Sequence, residues 1–157
     1  MKIKRICLCA WLVLGLIWIA PAVNAQEKEN NSTTADEVKQ ETSELIRSLQ
    51  SYSADQRDQA VRRAQGALDD MDKRVNELQS DIDKRWDEMD SKAQERALES
   101  LSTLENKRAQ VAEWFESLKS GSSDAWEHIK QGFSDAYTGL NQAWEKSKEE
   151  FDPPKDK

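Results

Sequence analysis

Residues 61–89 read VRRAQGALDDMDKRVNELQSDIDKRWDEM, and the choice of fold turns on them. Val61, Leu68, Val75, Ile82 and Met89 recur every seven residues, with Ala64, Met71 and Leu78 at the intervening positions. This 3-4 alternation lines one side of a helix with apolar side chains and is the pattern of a coiled-coil seam. Arg85 interrupts the second series, with Trp86 beside it. Beyond Met89 the seam drifts through Ala93, Ala97, Leu101, Leu104, Val111, Phe115 and Leu118, and Arg108 intrudes. Its four-residue steps resemble a stutter, which locally unwinds a supercoil. Nothing from Asp55 to Lys119 compels a stop, so the spacing predicts one helix over 55–119. Ser102-Thr103-Leu104-Glu105 has the form of a cap and allows a kink near Ser100.

Working outward, no Pro lies between Pro21 and Pro153, and the stretch is rich in Ala, Glu, Lys, Arg, Gln and Leu. Such a composition suits long helices, whereas 34% charged residues also suit disorder; the periodicity favours helix. Thr34-Ala35-Asp36-Glu37 is a capping box, predicting a first helix over 35–52 with Val38, Leu45, Ile46 and Leu49 on one side. Ser53-Ala54-Asp55-Gln56 repeats that signature, and we read it as a turn rather than the interior of a longer helix. Ser120-Gly121-Ser122-Ser123 is the clearest turn in the chain. A last helix over 124–151 follows, stopped by Asp152-Pro153-Pro154. The fold class is therefore all-α: an elongated antiparallel helical hairpin or coiled coil of about three helices.

The last helix carries an eleven-residue repeat. Asp124-Ala125-Trp126 matches Asp135-Ala136-Tyr137, Ile129 matches Leu140, and Phe133 matches Trp144. Trp126, Ile129, Phe133, Tyr137, Leu140 and Trp144 thus form one apolar stripe, which is either core or an interaction face for a partner. Beside it runs a stripe of small residues, Gly132, Ala136, Gly139 and Ala143, which permits close approach of another helix.

Lengths give a further expectation. At 1.5 Å per residue, a helix over 55–119 is roughly 100 Å long and the last helix roughly 40 Å. Folded back, the short helices leave the seam at Val75, Leu78, Ile82 and Met89 bare, a candidate surface for self-association into a homo-oligomer or for another helical protein. A break in the long helix would instead let the chain cover itself.

The N-terminus reads as an export signal: a basic start at Lys2, Lys4 and Arg5, an uncharged run from Ile6 to Ala20, Pro21, and small or branched residues at Val23 and Ala25. Cleavage is expected after Ala25, with Ala20-Pro21-Ala22 the weaker site, releasing a periplasmic or secreted protein; the alternative is an inner-membrane anchor formed by 6–23. Residues 26–33 read as a disordered polar linker and 152–157 as a disordered tail. Cys7 and Cys9 both fall in the signal, so the processed chain has neither disulfide nor thiolate metal site. Removing the signal takes away three cations and no acid, moving the net charge from −7 to −10. That acidity argues against nucleic acid and against electrostatic docking on anionic lipid.

The block Ser123 to Phe133, with Ala136-Tyr137 and Leu140, resembles the C-terminal signature of a bacterial family of small coiled-coil proteins named through a cyanobacterial stress-response protein. Ile82-Asp83, Lys92-Ala93, Leu104, Lys107-Arg108 and Glu116-Ser117-Leu118-Lys119 sit where that family has similar residues, and the resemblance covers roughly 78–151. It implies a helical, non-catalytic protein tied to stress tolerance, with no site residues to carry over; known members are often short and lack an export signal. Catalytic motifs are not found: the sequence holds no Gly-rich phosphate loop or nucleophile elbow, and His128 stands alone without metal-ligand partners. The reading is a non-enzymatic, cofactor-free protein with a structural, scaffolding or stress-protective role. A chaperone-like binder of unfolded clients is the runner-up, and an amphipathic-helix binder of membrane surfaces the third.

Overall fold

A computed structural model of the chain describes residues 34–151, and every regular element in them is helical. The expected signal segment, cleavage after Ala25, 26–33 linker and 152–157 tail all fall outside the described residues. Four helices follow one another: α1 (Ala35–Ser51), α2 (Arg57–Arg85), α3 (Ser91–Ser120) and α4 (Trp126–Phe151). Single 3-10 turns at Ala54–Gln56 and Trp86–Glu88 precede α2 and follow it.

The capping box at the start of α1 forms as its sequence dictates. The Thr34 hydroxyl accepts the Glu37 N–H at 3.3 Å, and the Glu37 carboxylate accepts the Thr34 N–H at 2.9 Å. The Thr34 backbone bond, and next to it the hydroxyl bond, hold the Glu37 carboxyl below its ordinary range. At Ser53 the chain does turn: Tyr52 and Ser53 are extended, and the Ser53 N–H donates to Gln56 Oε1 at 3.1 Å. The turn after Ser120 forms too, with the Gly121 N–H on the Ser117 carbonyl at 2.8 Å.

The continuous helix over 55–119 does not form. It breaks at 86–90, where Met89 (φ −80°, ψ 140°) and Asp90 (φ −71°, ψ 165°) leave the helical region. Asp90 Oδ1 accepts the Ala93 N–H at 2.8 Å and so caps α3, while the Gln94 side chain donates to the Trp86 carbonyl at 3.0 Å. A straight helix would keep about four more backbone hydrogen bonds, each worth roughly 1 kcal/mol net. The bend instead buries Leu78 and Ile82, each worth about 1.5–3 kcal/mol, in one core with Ala97 and Leu104 of α3. Burial wins, and the chain has four helices rather than three. No kink forms near Ser100; α3 runs through it, with the Thr103 hydroxyl folded back onto the Glu99 carbonyl at 2.9 Å.

Each short connection makes its helices antiparallel neighbours, and the cross-links agree. Arg74 on α2 pairs with Glu41 on α1 at 2.5 Å, and Arg108 on α3 grips both oxygens of Asp72 on α2 at 2.5 and 2.6 Å. Between α3 and α4, Arg96 meets Glu150 at 2.6 Å, Lys107 lies beside Gly139, and Trp114 lies over Gly132. With α1 also packed on α4, the order around the bundle is α1, α2, α3, α4, leaving α2 and α4 on a diagonal and running the same way. One core threads the bundle, from Val38, Leu45 and Leu49 on α1 to Phe133, Leu140 and Phe151 on α4. It takes up the seam expected to be bare: Leu78 and Ile82 are buried, and Val75 and Met89 are half-buried against the same core.

Candidate interaction surface

The stripe on α4 is where sequence patterning concentrated its aromatic side chains. All six of its residues are buried: Trp126, Ile129, Phe133, Tyr137, Leu140 and Trp144. Phe133 packs against Tyr137, with ring centroids 6.0 Å apart and planes 16° from parallel, and faces Phe115 of α3 at 6.5 Å. The stripe is therefore the centre of the intramolecular core, occupied by the chain's own helices.

Polar tips on that stripe explain why aromatics stand there. A buried indole or phenol needs a partner for its one donor. Trp126 Nε1 donates to the Tyr52 carbonyl at 2.9 Å, Tyr137 Oη to the Ala67 carbonyl at 3.2 Å, and Trp144 Nε1 to the Arg74 carbonyl at 3.3 Å. The last two reach across the diagonal to α2, a span a Leu or Phe would fill without bonding. Burial, opposed by the nearby Arg74 charge, pushes the Tyr137 phenol up from 10.0 to about 12. At the far end the Arg85 guanidinium bonds the Phe151 carbonyl.

Lys130 is the residue whose role the periodicity did not disclose. It is 1% exposed, yet it carries a cation. Its ammonium donates to the Gln50 and Tyr52 carbonyls at 3.1 and 2.9 Å, pairs with Glu127 at 3.0 Å, and lies 5.8 Å from the Trp126 ring centroid. Those carbonyls end α1, where helix backbone groups lack partners and the macrodipole is negative, so Lys130 closes a neighbouring helix from the side. The signal was present in the spacing. Trp126, Lys130, Phe133 and Tyr137 step by 4, 3 and 4, which places the lysine on the apolar stripe itself.

The small-residue stripe serves α3 of the same chain. A methyl group on Gly132 would stand 2.5 Å from the Trp114 indole, and one on Gly139 would touch the Lys107 stem at 3.7–3.9 Å. Ala136 and Ala143 are half-buried along the same line. His128 is exposed, its ring edge-on to Trp114 at 5.4 Å.

Among the open grooves on the outside, two border the residues described above. One, of about 340 Å³, lies between α1 and α2 and is lined by Glu41, Arg62, Arg63, Arg74 and Tyr137. The other, of about 400 Å³, follows the small stripe past Trp114 and His128. In the first, Arg74 pairs with the Glu41 carboxylate, and the Tyr137 hydroxyl donates to the Ala67 carbonyl. Among the described residues no group of three or more His, Cys, Asp or Glu side chains comes together as a metal set, and Leu98 is the large apolar side chain left exposed. No helix among them is long and apolar enough to cross a membrane. Comparison with known proteins adds nothing to this surface: no family model, no curated protein and no solved structure matches the chain, so the resemblance of the 123–140 block rests on its own residues.

Proposed function

We propose that this chain is a non-enzymatic, exported helical protein that works by contact, in a structural, scaffolding or stress-protective role. The observation that carries the reading is the destination of the aromatic stripe. The residues with the greatest capacity to bind are consumed in holding four helices together, and the outward faces are charged and helical. A surface of that kind offers long, patterned faces to another helical protein or to a second copy of itself. Turnover needs convergent groups in a concave, water-excluding pocket, whereas the grooves on this bundle are open to solvent, and in the one between α1 and α2 Glu41 is paired with Arg74.

The chaperone-like and lipid-surface readings both need the α4 stripe exposed. Each would first break the Trp126, Tyr137 and Trp144 bonds to backbone carbonyls and uncover the Lys130 ammonium, which makes them the less economical choices. Crosslinking in intact cells, with identification of what is captured and of the processed N-terminus, tests the proposal. The expected result is a chain beginning at Gln26 and joined to protein, either its own kind or one dominant helical partner. Recovery of an unprocessed chain joined to nothing would overturn it.

A further inference from the structure

Three corners turn this chain, and their chemistry differs. The first has extended Tyr52 and Ser53 ahead of a Ser-x-x-Gln signature; the third has Gly121 between serines. The middle corner, Trp86-Asp87-Glu88-Met89-Asp90, has neither Gly nor Pro. Each of its residues is compatible with a helix interior, and only Met89 and Asp90 take extended ψ angles. The apolar pattern runs through it as well: Ile82, Met89, Ala93, Ala97, Leu101 and Leu104 follow one another by 7, 4, 4, 4 and 3. A helix drawn straight from Arg57 to Ser120 would carry these residues along one gently drifting face over roughly 95 Å.

We propose that the 86–90 corner is a hinge for exchange between two copies of this chain. In the exchanged state α2 and α3 join as one helix, and the α1–α2 arm of each copy packs on the α3–α4 arm of the other. This rests on the contact reading above, with a second copy as the partner. The bonds between the arms away from the corner are remade in that state, among them Asp72 with Arg108, Tyr137 on Ala67, Trp144 on Arg74, and Lys130 on the end of α1. The two states therefore differ in the corner and in the entropy of association, so protein concentration selects between them. The corner is bent by the Asp90 cap and the Gln94 bond to Trp86, and by no residue that forbids a helix.

Ser91→Pro separates the two states. Ser91 is the first residue of α3 and follows an extended Asp90, the setting a proline prefers, whereas in a joined helix the ring would collide with the Asp87 carbonyl. Light scattering across about a hundredfold range of concentration should show dimer growing with concentration in the parent and at least tenfold less in Ser91→Pro, with its thermal midpoint equal or higher. In a Cys7→Ser, Cys9→Ser background, separate Asp72→Cys and Arg108→Cys chains are mixed, unfolded, refolded together and treated with a short bismaleimide. A joined heterodimer is the expected product, absent when both chains carry Ser91→Pro; this arm decides the matter even should the proline variant fold poorly. A parent that stays monomeric throughout overturns the exchange and leaves another protein as partner. A dimer unaffected by the proline and giving no 72–108 product also overturns it, and places self-association on the outer faces instead.

Discussion

The corner at 121–125 and the corner at 86–90 both fold one helix back along another, yet they are specified at different levels. The first is local. Gly121 sits where any larger residue would meet both the Ile129 side chain and the Ser117 carbonyl, and the surrounding serines favour leaving a helix. The second is tertiary: a sequence that reads as helix bends because bending buries Leu78 and Ile82 in the core the helices share. A turn of the first kind is visible in composition; one of the second kind is visible only when both arms are laid side by side.

Several substitutions break or sharpen this contrast. The largest effect belongs to the core on which the tertiary corner depends. Phe133→Ala, at a fully buried position, should cost about 3–5 kcal/mol, read as a loss of chemical-denaturation stability, and should loosen 86–90 along with α4. Hydrogen exchange that stayed slow at 86–90 in that variant would show the corner to be locally held after all. Gly121→Ala comes next. Its added methyl group would lie 2.7 Å from the Ser117 carbonyl oxygen, an overpacking worth about 1–3 kcal/mol, with no change expected at the other corner. Asp90→Ala removes the cap of α3 and should cost about 1 kcal/mol as monomer, measured by the same denaturation curve, while raising the proportion of joined-helix dimer. A stability loss without a change in assembly would favour a purely local role for Asp90. The smallest effect at neutral pH is that of Tyr137. Its phenol ionises near 10.0 when the chain unfolds and near 12 in the fold, so its contribution is intact below pH 10 and is lost as pH rises towards 12. Absorbance titration should show one tyrosine ionising late, and Tyr137→Phe should remove that late step.

Much of the fold could be read before any coordinates, for reasons that particular residues make clear. Thr34 and Glu37 bond within four residues of each other, and Gly121 acts on its own turn, so their signals are complete in short windows. The α4 stripe was legible as a stripe because its spacing is helical, but spacing is blind to whether the facing surface is the same chain or another. The expected bare seam at Val75, Leu78, Ile82 and Met89 came instead from reading 55–119 as one helix; with the chain folded back at 86–90, those residues join the common core. Lys130 was hidden for a related reason. A lysine on an apolar face is ordinarily read as an interruption, and its use depends on where α1 ends, 78 residues earlier in the chain.

The two diagonal bonds, Tyr137 to Ala67 and Trp144 to Arg74, share a separation of 70 residues. They act as paired pins in a lock: α4 cannot creep along α2 by one turn without withdrawing both together. Slippage that apolar packing alone would tolerate therefore costs both bonds at once, about 2 kcal/mol together.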